Sequence, residues 1–493
     1  MSSFVAVERA ALEAAPASAA PDGAAPDEAA PASAAPDGAA LALAGPACAA
    51  PALAGPEGAA GEEAAAALRG AMSGWREMTG GVRLRDRNRH RPGRPGDGRG
   101  SVPHPHRPAF AGGHSMAFSA DFSTVADREA AVLAPYAMFS RDSRGRRHAE
   151  PSHPYRGPFQ RDRDRIVHSA AYRRLSGKMQ VFTGDMGDYH RTRLTHTYEV
   201  ASIARTMARA LRLNEDLVEA LALFHDIGHP PFGHAGEDAL NELLAEDGGF
   251  SHNRHALAIA EELENRYPDF PGLNLTREVL DGQVVRADKR AAAAAGDAPL
   301  LEVQIVDLAD SITYDAHDTD DAVQLGLVDI DSLCQLPLVQ DAARRARARH
   351  SPLSPKMLRT GIVHELIDIQ VGDLLQHSGR QLIAGDFPSA AAACASNFRL
   401  GPSDSLRGPK RDLEAFLYAN VYRHPRLVAV RTRAQERLRH MFEGYQRRPE
   451  LLPASFQQRA ANRGLRRTVG DYLAGMTDRF CDEQFHLHFA GEG

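Results

Sequence analysis

From about residue 120 the chain repeats apolar residues at intervals of three and four, as helices that bury one face do. In LTHTYEVASIARTMARAL, residues 194–211, His196, Val200, Ile203, Met207 and Leu211 fall on one side. NEDLVEALALFHD follows, with Asn214 placed to cap it and Leu217, Leu221, Phe224 and His225 on its inner face. Gly228, Pro230 and Pro231 end that run. A third helix is predicted over 300–323, aligning Val303, Val306, Asp310, Tyr314 and His317/Asp318, with KRAAAAAGDAP as a loose connection ahead of it. DLEAFLYANVY and RTVGDYLAGMTDRF carry the helical period on towards residue 488. No run alternates as a strand would. The expected fold class is therefore all-α, a long multi-helix bundle with a C-terminal helical subdomain.

The first 115 residues are a different material. PASAAPDGAA occurs at 16–25 and again at 31–40, Ala, Pro and Gly dominate to about residue 70, and an Arg-rich stretch follows. Too few large apolar side chains are present to offset ordering entropy, so this segment is expected to be a disordered tail. Met116, in HSMAFSADF, stands where the helical pattern begins, and a mis-assigned translation start is the preferred reading of what precedes it. The expected organisation is a tail over 1–115, a core over 116–330 and a C-terminal helical region completing the fold over 331–493.

Composition narrows the function classes. The net charge of -6 argues against nucleic acid as the main ligand, though not against a small anion in a local basic pocket. Four cysteines lie far apart with no CxxC pair, which argues against a disulfide framework or a cysteine zinc site. No apolar run reaches the roughly 18 residues of a membrane span, and no basic segment leads into an apolar core at the N-terminus. A cytoplasmic location is expected.

The chemistry concentrates in HDIGHPPFGHAGEDAL, residues 225–240, where His225, Asp226, His229, His234 and Glu237 crowd together beside an apolar helix. Buried carboxylates are costly unless they are paired or bind a metal. His196, His225, Asp226 and Asp310 fall on the inner faces of three predicted helices or at their ends. Two imidazoles and two carboxylates suit a divalent cation such as Mn, Fe or Zn, with Mg held through the carboxylates. Four protein ligands would leave positions for water and a substrate oxygen.

These residues carry a resemblance. PFQRDRDRIVHSAAYRRLSGKMQVF (158–182), YHRTRLTHTYEVASIARTMARAL (189–211), the HDIGHPPFGHAGEDALNELL run, GGFSHN (248–253), FPGLNLTREVL (270–280) and LADSITYDAHDTDDA (308–322) resemble the HD-domain phosphohydrolases. More narrowly, they resemble the deoxyguanosinetriphosphate triphosphohydrolase-like proteins. The likeness runs from about residue 130 to 488 and includes NVYRHP and DYLAGMTDRF.

The resemblance implies an HD-domain bundle that hydrolyses deoxynucleoside triphosphates at the α-phosphorus, giving deoxynucleoside and inorganic triphosphate. It implies a cation on His196, His225, Asp226 and Asp310, with Mg or Mn expected first and Fe, Co or Zn as alternatives. It makes His234 and Glu237 the proton-transfer pair, the carboxylate orienting the ring and raising its pKa. Arg193, His229 and His252 would contact phosphate or sugar. Tyr314 would pack on the deoxyribose and exclude a 2′-hydroxyl, and Asp318 would accept from the 3′-hydroxyl. The family often forms homo-oligomers. One departure stands out: GQVVRADKR places Val285 where the family carries a lysine, leaving Arg286 or Lys289 to replace it. Two other readings remain, an HD phosphohydrolase for a different nucleotide phosphoester and a nucleotide- or DNA-sensing regulator.

Overall fold

The computed structural model describes residues 124–180, 191–289, 291, 296–350 and 352–490. The predicted tail and Met116 lie outside them. Among the described residues there is no strand, only isolated bridges such as Met179 with Thr192, and the all-α expectation holds. The helices that build and brace the site are, in chain order, α1 (Pro158–Val167), α2 (Arg193–Ala210), α3 (Glu215–Phe224), α4 (Gly233–Leu243), α5 (His252–Ala258), α6 (Arg277–Ala287) and α7 (Leu301–Gln324). They continue with α8 (Pro337–Arg349), α9 (Pro355–Gly385), α10 (Asp404–Leu417), α11 (Pro425–Arg447), α12 (Leu465–Ala474) and α13 (Asp478–His488). None of the helices described is long and apolar enough to cross a membrane.

Local chemistry sets the ends of the site helices. The Thr192 hydroxyl accepts the Thr195 amide at the start of α2. At the start of α3, Asn214 Oδ1 accepts the Leu217 amide, the cap that the sequence predicted. Helix α3 stops at Phe224, one residue before His225. Its apolar positions Leu217, Leu221 and Phe224 pack with Val200 and Met207 of α2 and Val303 of α7 in one core. Fully burying each such side chain is worth roughly 1.5–3 kcal/mol. Ile203 is only partly buried, because Ala204 and Met207 take the inward direction on α2.

A second core joins α4 to α11, α12 and α13 through Ala239, Leu240, Leu438, Met441, Val469, Leu473 and Cys481. A third joins the far half of α7 to α8, α9 and α10 through Ala316, Ala342, Leu366 and Leu413. Helix α7, 24 residues and hence about 36 Å long, runs from the first core to the third. Along it, Asp310 lies among the first-core positions, Tyr314 between the two cores and Asp318 among the third-core positions.

Candidate metal and proton-transfer site

Three helices deliver the first cluster. His196, 1% exposed, projects from α2, and its Nε2 lies 3.1 Å from Asp310 Oδ1 of α7. His225 follows the last residue of α3. Its Nδ1–H donates to the Ala222 carbonyl at 2.6 Å, so Nε2 carries a lone pair. Burial holds this ring below the usual histidine range, against the pull of Asp226 and Asp310. Nε2 has no hydrogen-bond partner, yet Asp226 Oδ1 lies 3.4 Å away and Asp310 Oδ1 3.7 Å away. Electron-rich atoms from His225, Asp226 and Asp310 thus converge in a buried space. Such an arrangement is unfavourable alone and is reconciled by a cation. The donor atoms of His196, His225 and Asp310 all lie within 4.8 Å of one another.

Each carboxylate of the cluster also has its own arginine. Arg193, 1% exposed, donates to Asp226 Oδ2 at 2.9 Å and to the Gln180 carbonyl at 3.3 Å. Arg286 donates to Asp310 Oδ2 at 2.8 Å and also pairs with Asp307. Lys289 lies 3.6 Å from Asp307. Of the two candidates to replace the family lysine, Arg286 therefore meets Asp310 and Lys289 meets Asp307. Burial alone would raise Asp226 and Asp310. The histidines and arginines beside them win and hold both carboxyls well below the usual range.

The second cluster is built on the turn after α3. His229 Nδ1 bonds the Asp226 backbone carbonyl at 3.3 Å and lies 3.0 Å from Asp226 Oδ1, and its buried Nε2 has no partner. His234, at the start of α4, bonds Glu237 Oε2 through Nδ1 at 3.1 Å. Glu237 Oε1 takes His252 Nδ1 at 2.7 Å and the His252 amide at 2.9 Å. The His229 and His252 rings stack at 3.8 Å. Glu237 therefore orients two imidazoles, a link that sequence spacing did not reveal because His252 comes from a different helix. Glu237 pulls the His234 pKa up, as expected, but a larger effect opposes it. Burial outweighs the carboxylate and takes the ring down to about 4.

Tyr314 and Asp318 sit further along α7, 8% and 1% exposed, and bond each other through their side chains. The Tyr314 ring stacks on Tyr422 with centroids 5.9 Å apart and planes at 10°. Burial, then Asp321, push the Asp318 carboxyl well above the usual carboxylate range. Tyr422 was not singled out in the sequence. It follows α10 in a stretch with no spacing relation to Tyr314.

The chain matches the HD domain over residues 193–315 and the phosphohydrolase-associated domain over 401–486. A deoxyguanosinetriphosphate triphosphohydrolase-like protein of Geobacter sulfurreducens is 41% identical over 369 residues, which is 73% of this chain and 96% of that protein. Its namesake in Brucella anthropi is 43% identical over 376 residues, 71% of this chain and 93% of its own length. That of Ralstonia pickettii is 41% identical over 372 residues, covering 73% and 95%. The buried histidine–aspartate cluster lies inside the matched HD segment, and on these relationships the chain belongs to the deoxyguanosinetriphosphate triphosphohydrolase-like family of HD-domain phosphohydrolases.

Proposed function

We propose that this chain hydrolyses deoxynucleoside triphosphates to deoxynucleoside and inorganic triphosphate. His196, His225, Asp226 and Asp310 would hold the divalent cation. The observation that supports this most is the partnerless Nε2 of His225 facing the Oδ1 atoms of Asp226 and Asp310. A cation bound there supplies Lewis-acid polarisation of the α-phosphate and a lower pKa for water.

The protein's own groups supply the rest. Asp226 and Asp310 are each fixed by an arginine, so the oxygens that face the cation need not reorganise. His234 donates its Nδ1–H to Glu237, which leaves Nε2 as a proton acceptor. With its pKa at about 4 the resting ring is neutral at pH 7. The negative charge of a bound triphosphate favours its protonated form. His234 can therefore take a proton and pass it to the departing 5′-oxygen. His229 and His252, stacked and oriented by Asp226 and Glu237, are assigned to the phosphates, with Arg193 behind them on Asp226. Tyr314, backed by Tyr422, would press on the deoxyribose, and Asp318 would bond the 3′-hydroxyl. A 2′-hydroxyl would clash with the ring.

The test incubates the full chain and Mn²⁺ or Mg²⁺ with each deoxynucleoside triphosphate, singly and mixed, and separates products by anion exchange. Intact triphosphate plus deoxynucleoside is expected. Release of pyrophosphate or phosphate contradicts the reaction. A bound cation with no turnover points to another phosphoester or to a sensor.

A further inference from the structure

The turn between α3 and α4 carries His229 and delivers His234. It is closed by an unusual backbone. Phe232 adopts φ 61°, ψ 21°, and Gly233 adopts φ 58°. A left-handed phenylalanine is unfavourable and persists only where its surroundings impose it. The imposing bonds come from outside the turn. Asp478, the first residue of α13, accepts the Phe232 amide on Oδ1 at 2.9 Å and the Met179 amide on Oδ2 at 3.0 Å. Lys178, 3% exposed, donates from Nζ to the His229 carbonyl at 2.5 Å and to the Ala474 carbonyl of α12 at 2.9 Å.

The same segment, residues 178–180, also anchors the start of α2. The Lys178 carbonyl accepts the Arg193 amide at 2.9 Å, and the Gln180 carbonyl accepts Arg193 Nη2 at 3.3 Å. The approach to α13 is tight, since a Cβ added to Gly177 would lie 2.9 Å from Thr477 Cγ2. The phosphohydrolase-associated segment, 401–486, thus reaches both sides of the site through Ala474 and Asp478.

We propose that Asp478 and Lys178 are positioning residues, through which the C-terminal helices set the Phe232–Gly233 turn and the direction in which His234 enters the site. The consequence for turnover rests on the role given to His234 above. The clamp itself does not. Without Asp478 the Phe232 amide is a half-buried donor with no acceptor, and the turn relaxes towards negative φ. His234 lies in the first turn of α4 and tilts with it. The cluster of His196, His225 and Asp310 is held by other contacts and keeps its shape.

The experiment uses the full chain with Asp478→Ala, Asp478→Asn and Lys178→Met. Amide hydrogen exchange at Phe232 and Met179 should be at least about tenfold faster in D478A, with amides in the middle of α7 and α9 unchanged. For deoxynucleoside triphosphate hydrolysis kcat should fall about 30-fold, with KM within about threefold and Mn²⁺ binding as in the parent. The pH profile of kcat should shift as well. D478N keeps one oxygen acceptor and should recover part of the loss, and it carries the test if D478A does not fold. Faster exchange with unchanged kcat, or no change in exchange, overturns the proposal. A parent protein without the proposed activity would count against that activity. The exchange arm and the nuclear magnetic resonance shifts of the His234 ring nitrogens would still decide the clamp.

Discussion

The candidate cation cluster and the histidine turn are neighbours joined through Asp226, but they are assembled by different physics. His196, His225 and Asp310 are presented by helices whose own apolar faces pack against one another. Their spacing follows from helix packing, and each carboxylate is fixed by an arginine. His229, His234, Glu237 and His252 instead sit on or beside a turn with a left-handed phenylalanine, close backbone contacts, a bond from Asp478 of α13 and one from Lys178, which also bonds the α12 residue Ala474. The first cluster should tolerate small movements and still bind a cation. The second should lose function when its turn shifts, without losing the cation.

The sharpest way to break that contrast is to remove each cluster in turn. Asp226→Ala should abolish Mn²⁺ binding by calorimetry and lower kcat by at least about 10³-fold. His234→Gln should bind Mn²⁺ as the parent does while kcat falls about 10²- to 10³-fold. If H234Q also lost the cation, the two clusters would be one unit and the contrast would fail.

Gly228 tests how far the turn depends on close packing. A Cβ there would lie 2.1 Å from the His252 carbonyl and 2.5 Å from the Ala256 amide nitrogen. Gly228→Ala should therefore cost about 1–3 kcal/mol or more in thermal or urea unfolding, because backbone cannot move aside as a side chain does. An unchanged midpoint would show that α5 is not seated against the turn as described.

An effect of similar size is expected on pH dependence. His255 is buried, donates to the Gly228 carbonyl at 3.1 Å, and has its pKa taken down to about 3 by burial. The unfolded chain takes up this proton near pH 6.5, and the folded chain does not until about pH 3. Between those values the unfolded state binds more protons, so stability rises with pH and falls on acidification. The slope from this residue should approach about 1.4 kcal/mol per pH unit. His255→Gln should flatten the urea midpoint between pH 6 and 4 relative to the parent. Parallel profiles would remove His255 from the account.

Much of this was legible in the residues, and the limits have physical causes. Helices α2, α3 and α7 were readable because burying one face imposes a period, and that period placed His196, His225 and Asp310 together. Asn214 was readable because a cap is local chemistry. The Glu237–His252 pair, the Tyr314–Tyr422 stack and the Asp478 clamp were not. Each joins segments whose separation in sequence carries no period, as with Met179 and Asp478, 299 positions apart. The pKa of His234 went the other way from the reading of its partner alone. A neighbouring carboxylate is visible in sequence, whereas the burial that outweighs it belongs to the fold.

Hydrolysis of a deoxynucleoside triphosphate in oxygen-18-labelled water tests the chemistry of the site most directly. Water attack at the α-phosphorus puts the label into inorganic triphosphate and leaves the 5′-hydroxyl of the deoxynucleoside unlabelled, with no turnover when His225 and Asp226 are both alanine. Label in the deoxynucleoside, or pyrophosphate and phosphate among the primary products, would contradict it.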